Sequence, residues 1–164
     1  MKAVAELKKP YTENQHIDFL LENKIKNKYE IEYSDDAIIA WGKTEEDLLA
    51  DAKAVKRKEN TDKAKLAVEN GHVVFKGAEF ETNAQTVGDL TATMLLMQAS
   101  GLETYLWLSK DDQSISLSIE DFGTLGGLIA EFKNTIWQEK YIAYKSAIEQ
   151  AETIVAVENI VIEY

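Results

Sequence analysis

Two histidines, His16 and His72, are the only imidazoles in the chain, and there is no cysteine. Thiolate metal sites, cysteine nucleophiles and disulfides are therefore absent together. Neither histidine stands in an H-x-x-x-H or H-E-x-x-H pattern, and no D-x-D-x-D-G calcium loop occurs. Each histidine reads as a surface or partly buried residue. No G-x-S-x-G elbow is present to carry a serine nucleophile. Gly123-Thr124-Leu125-Gly126-Gly127 is glycine-rich but lacks the Lys-Ser/Thr ending of a phosphate loop, and it follows a capping box. The carboxylate pairs Asp35-Asp36 and Asp111-Asp112 fall in polar turns. Glycosidase-type chemistry needs two carboxylates in one cleft with different environments, which turn residues in solvent do not supply. Asp111-Asp112 also suits a weak cation, although turn formation is the simpler use. No catalytic residue, cofactor site or metal site is assigned, and the chain is expected not to be an enzyme.

The elements that would position any site follow from periodicity. The strongest stretch runs from Gly71 to Ile148. His72–Phe75 and Ala78–Thr82 read as a hairpin joined at Lys76-Gly77, and a helix follows over Thr86–Ser100. Thr104–Leu108 and Ser114–Ser118 form a second strand pair around a polar turn. Ser114–Ile119 alternates strictly, with Ile115, Leu117 and Ile119 on one side. Ser118-Ile119-Glu120-Asp121 caps a long helix whose apolar face is Phe122, Leu125, Ile129, Phe132, Ile136 and Ala143, widened by Leu128, Trp137 and Ile148. Val87, Leu90, Met94, Leu95 and Met97 form the expected core face of the preceding helix. The glycines at 123, 126 and 127 fit either close packing on that helix or a frayed first turn.

The front of the chain is simpler. A strand-like opening closes at Pro10, and Thr12-Glu13-Asn14-Gln15 has capping-box spacing. Ile17, Leu20 and Leu21 share a helical face, and Lys24, Lys26 and Lys28 suit its C-terminal end. Tyr29–Tyr33 alternates as a strand, and Ala37–Trp41 is apolar up to Gly42. Thr44 starts another helix with three acids in its first turn. From Lys56 to Lys65 the chain is almost all charge, a solvated helix or linker, with a phosphate-binding basic patch as the sharper alternative. The tail, Thr153–Tyr164, is Val/Ile-rich and is expected to end in a strand at Ile160–Glu163.

The expected fold class is α+β: short antiparallel strand pairs alternating with helices, and a long C-terminal helix. The expected organisation is an N-terminal module over 1–55, a charged helical linker over 56–70 and a C-terminal domain over 71–164. Net charge is −11, and hydrophobic residues make up 45%, enough for a core. Residues 1–70 hold 13 Lys/Arg against 15 Asp/Glu, while residues 71–164 hold 5 against 14. The acidic part would repel a phosphate backbone, so nucleic acid is not expected as a partner. The opening segment lacks the apolar core of a signal peptide, and no run approaches the roughly 18 apolar residues of a membrane span.

Two segments resemble a known family. Phe75-Lys76-Gly77-Ala78-Glu79-Phe80-Glu81-Thr82 before a helix is followed by Leu106-Trp107-Leu108, a polar turn, Leu117-Ser118-Ile119-Glu120-Asp121-Phe122 and a long helix. Together these resemble an uncharacterised domain family that recurs in phage and prophage tail-fibre and tail-associated proteins, over about residues 71–155. Pro10-Tyr11-Thr12-Glu13, Glu30-Ile31-Glu32 and Ala40-Trp41-Gly42 are similar to the openings of small phage tail or tail-assembly proteins. Gly123, Gly126 and Gly127 are richer in glycine than the family pattern. The family has no established catalytic residues. The resemblance implies a structural component or assembly factor of a tail, acting through contacts with other tail or tail-fibre proteins, located in the host cytoplasm during assembly or in the virion tail. A bacterial protein- or ligand-binding module unrelated to tails is the alternative. Trp137, Tyr141 and Tyr144 on the last helix are the expected interface residues, since large aromatics anchor contacts, and a symmetric or partner-bound state is expected.

Overall fold

The structure is a computed structural model and describes residues 2–164. The chain is α+β. It divides into two compact units, one of Met1–Ala54 with Glu152–Ile154 and one of Val55–Ala151 with Val155–Tyr164.

In the first unit, β1 (Lys2–Lys8), β2 (Glu30–Tyr33) and β3 (Ala37–Gly42) form an antiparallel sheet in the order β1-β3-β2. The most apolar strand, β3, takes the centre, where Ala37, Ile38 and Ala40 are buried. Helix α1 (Glu13–Leu20) starts at the Thr12 capping box and runs into a π-helical turn at Leu21–Lys26. Helix α2 (Glu45–Glu69) starts with the Thr44 hydroxyl accepting from the Asp47 N–H. It is unbroken for 25 residues, so the expected linker at 56–70 is its C-terminal part and belongs to the second unit.

The second unit opens with β4 (His72–Phe75) and β5 (Ala78–Glu81), a hairpin whose two turn residues, Lys76 and Gly77, both have positive φ. That is the backbone of the two-residue turn whose twist matches paired strands. Helix α3 (Ala84–Ser100) begins one turn's edge earlier than the apolar pattern suggested, because the Asn83 side chain accepts from the Thr86 N–H and caps it. Strands β6 (Thr104–Leu108) and β7 (Ser114–Ser118) form the second hairpin. Helix α4 (Ile119–Asn134) starts at the Ser118–Asp121 capping box.

Helix α4 continues through a π-helical stretch, Thr135–Lys140, into α5 (Tyr141–Gln150). The Tyr141 N–H donates to the Ile136 carbonyl, a five-residue spacing. Such a turn absorbs one extra residue and shifts the phase of everything beyond it. Ile136 and Ile148 then sit about three full turns apart and both are buried, whereas Ala143, which regular spacing put on the core face, is exposed.

The core of this unit joins Phe80, Leu90, Met97, Leu117, Phe122, Leu125 and Ile129. Trp107 meets Phe122 edge-on at 5.2 Å between ring centroids. Leu90 and Met97 of α3 are buried and Met94 packs beside them, but Leu95 and Val87, expected on the core face, are exposed. Leu95 is adjacent to Met94 in sequence and so points roughly 100° away from it around the helix. A Cβ on Gly126 would touch the Leu90 side chain at 3.6 Å, while Gly123 and Gly127 face open space. Only Gly126 therefore lies against α3.

The tail does not form a strand at Ile160–Glu163. It makes a short helix α6 (Ile154–Glu158) and then runs irregularly to Tyr164. Side chains replace a ladder there: Lys63 Nζ donates to the Ile162 carbonyl at 3.0 Å, and the Tyr144 hydroxyl donates to the Glu163 carbonyl at 2.9 Å.

Candidate functional site

The aromatic residues expected to anchor a partner are engaged within the second unit. Trp137 and Tyr141 stack edge-to-face with centroids 5.2 Å apart, and Tyr144 does the same with Tyr164 at 5.7 Å. Beneath them lies Asn60, only 1% exposed. Its Nδ2 donates to the Tyr141 carbonyl at 3.1 Å, and its Oδ1 accepts from the Tyr164 hydroxyl at 2.5 Å. A buried amide must be satisfied on both ends, and the helix and the tail each supply one partner. Burial and the nearby hydroxyls of Tyr144 and Tyr141 push the Tyr164 phenol up to about 12. This aromatic group seats α2, α5 and the tail on one another. Asn60 carried no signal in sequence because it sits in a run of lysines that reads as solvated.

The polar residues considered for chemistry are each held in local contacts. His16 lies in the first unit between the rings of Tyr11 and Tyr33, at 5.6 and 6.0 Å, with its Nε2 buried and unpartnered. His72 lies in the second unit, 3.7 Å from Glu79 on an exposed strand face. Asp111 accepts from the Ser109 hydroxyl at 2.7 Å inside its own turn, which holds its carboxyl below the usual range. Asp121 is held low mainly by Lys76, 2.6 Å away, and by its capping bonds to Ser118. Asp35 and Asp36 fill the bend before β3. Among the described residues no three His, Cys, Asp or Glu side chains gather as a metal-ligand group.

What the second unit does present is an uncovered strand edge. On β6, Trp107 packs against the core, while Tyr105, Leu106 and Leu108 are 38%, 68% and 58% exposed. Their cross-strand partners on β7 are Ser116 and Ser114, so two leucines stand on an otherwise polar sheet face. Tyr105, Leu106, Trp107 and Leu108, four consecutive residues, line one groove, whose opposite wall is the Thr86, Asp89 and Thr93 face of α3. A groove above a strand's face would be lined by alternate residues; one lined by consecutive residues runs along the strand's edge. Near Leu108 it continues into a second hollow bounded by Phe80, Glu81 and Thr86. The Lys110 N–H donates to the Glu79 carbonyl at 2.8 Å and ties the β6–β7 turn to β5 at that end. No helix among the described residues is long and apolar enough to cross a membrane. No protein-family model, no curated protein and no solved structure matches the chain.

Proposed function

We propose that this protein is a non-enzymatic component or assembly factor of a phage or prophage tail, and that it works through contacts with other tail or tail-fibre proteins. The observation that carries the contact role is the exposed Leu106–Leu108 edge beside α3. An uncharged, apolar edge strand invites pairing unless something covers it. The acids held low have local structural partners, which supports the non-enzymatic reading: Asp47 and Asp121 cap helices, Asp111 closes a turn, and Glu22, Glu59 and Asp62 pair with lysines of their own helices. The tail context is supported by the resemblance of residues 71–155. The test uses the full chain as bait in a lysate of phage-producing cells, with mass spectrometry of what is retained. Enrichment of tail or tail-fibre polypeptides over a lysate without phage is the expected result. Retention of host proteins alone would replace the tail reading with that of a bacterial binding module.

A further inference from the structure

We propose that the groove between β6 and α3 receives an extended segment of a partner protein, which adds to β6 as a third strand and carries a Lys or Arg toward α3. This role rests on the protein-contact reading above but not on the tail context.

The backbone sets the mode of binding. The Ser109 N–H donates to the Gln113 carbonyl at 2.9 Å, which makes that pair a hydrogen-bonded one. Antiparallel pairs alternate, so Leu108↔Ser114, Leu106↔Ser116 and Thr104↔Ser118 are the non-hydrogen-bonded pairs. The N–H and C=O groups of Thr104, Leu106 and Leu108 therefore point away from β7, toward the groove. Ser118 fits this phase, since its N–H donates outside the ladder to Asp121 at 2.9 Å. Among the described residues no backbone group outside the β6–β7 pair bonds to Thr104, Leu106 or Leu108. These are three regularly spaced donor–acceptor sets on an edge without proline or charge, and an added strand satisfies them. Its side chains on the outer face would cover Leu106 and Leu108.

The walls set the chemistry of the occupant. Asp89 and Glu81 border the groove. Each accepts only a neutral amide bond, from Gln85 and Asn83 at 2.8 Å, and neither makes an ion pair among the described residues. A cationic side chain in the added strand complements them. The helix wall is lined by the small side chains of Thr86, Ala92 and Thr93, which leave room for it. A second copy of this chain fits poorly. Thr104–Leu108 contains no Lys or Arg, each copy carries a net charge of −11, and pairing β6 on β6 would leave these acids unneutralised.

The full chain, immobilised, is panned against a display library of random eight-residue peptides, and the winners are synthesised. The expected winners alternate apolar residues, contain a Lys or Arg and lack Pro. On binding, the amides of Leu106 and Leu108 shift and become protected from hydrogen exchange. Asp89→Lys, on an exposed helix position, weakens binding by about tenfold or more through like-charge contact. Leu106→Pro removes an outward N–H and abolishes it; if that variant fails to fold, Leu106→Lys with native circular dichroism serves in its place. Winners that bind as helices, binding that survives Asp89→Lys and Leu106→Lys, or unmoved Leu106 and Leu108 amides would each overturn the proposal. So would a dimer at micromolar concentration whose β6 amides are already protected.

Discussion

The Tyr164 hydroxyl donates to Asn60 Oδ1 at 2.5 Å, across 104 positions of sequence. Asn60 in turn donates to the Tyr141 carbonyl. Removing a partner from a buried polar pair costs about 1–3 kcal/mol, more than the net gain from forming it. Asn60→Ala should therefore lower unfolding free energy by that amount in a denaturant titration. Tyr164→Phe should cost at the lower end of the same range, since the ring contact with Tyr144 survives.

The same bond predicts a response to alkaline pH. The Tyr164 phenol is raised from 10.0 to about 12 in the folded chain. Between those values the folded state holds a proton that the unfolded state has lost, so stability falls as pH rises. The contribution is fully present below pH 10 and is lost on passing through about 12. The difference in stability between wild type and Tyr164→Phe should shrink across that window, and a constant difference would contradict it.

The glycines divide by what surrounds them. Gly123 and Gly127 lie in α4 facing open space, so alanine at either should stabilise by about 1 kcal/mol through helix propensity alone. Gly71 is different: a Cβ there would lie 2.5 Å from the Phe132 ring and 2.6 Å from the Ala67 carbonyl oxygen. Gly71→Ala should destabilise by about 1–3 kcal/mol, the usual cost of overpacking. Thermal melts of the three single variants separate the two cases.

Phe122 is fully buried between α3, β6 and the rest of α4, with Trp107 against its edge. Phe122→Ala should cost about 3–5 kcal/mol. The near-ultraviolet circular dichroism of Trp107 should change with it. A variant as stable as wild type would mean the core is not organised around this ring.

Local chemistry made much of this fold readable. The strict alternation of Ser114–Ile119 gives β7, and the capping boxes at Thr12 and Ser118 mark where α1 and α4 begin. What was not readable depended on distant partners. Nothing in Thr135–Lys140 announces the π-helical turn that moves Ala143 off the core face, while Ile148, read on the apolar face, is buried. Ile160–Val161–Ile162 has strand composition, but side-chain bonds from Lys63 and Tyr144 hold the tail where a ladder was expected. The neighbours of the aromatics on the last helix were not readable either: Trp137 stacks on Tyr141, Tyr144 on Tyr164, and the Tyr141 carbonyl accepts from Asn60. Leu106 and Leu108 read as strand residues, but an apolar pattern does not say whether anything covers them.

Photo-crosslinking from position 106 tests the contact role most directly. A benzophenone amino acid replaces Leu106 in the full chain, and in a control protein it replaces Ala130, an exposed residue of α4. Both are expressed in phage-producing cells and irradiated. The account predicts a discrete adduct between position 106 and a tail or tail-fibre polypeptide, absent from the control. Equal adducts from both positions, or none from position 106, would contradict it.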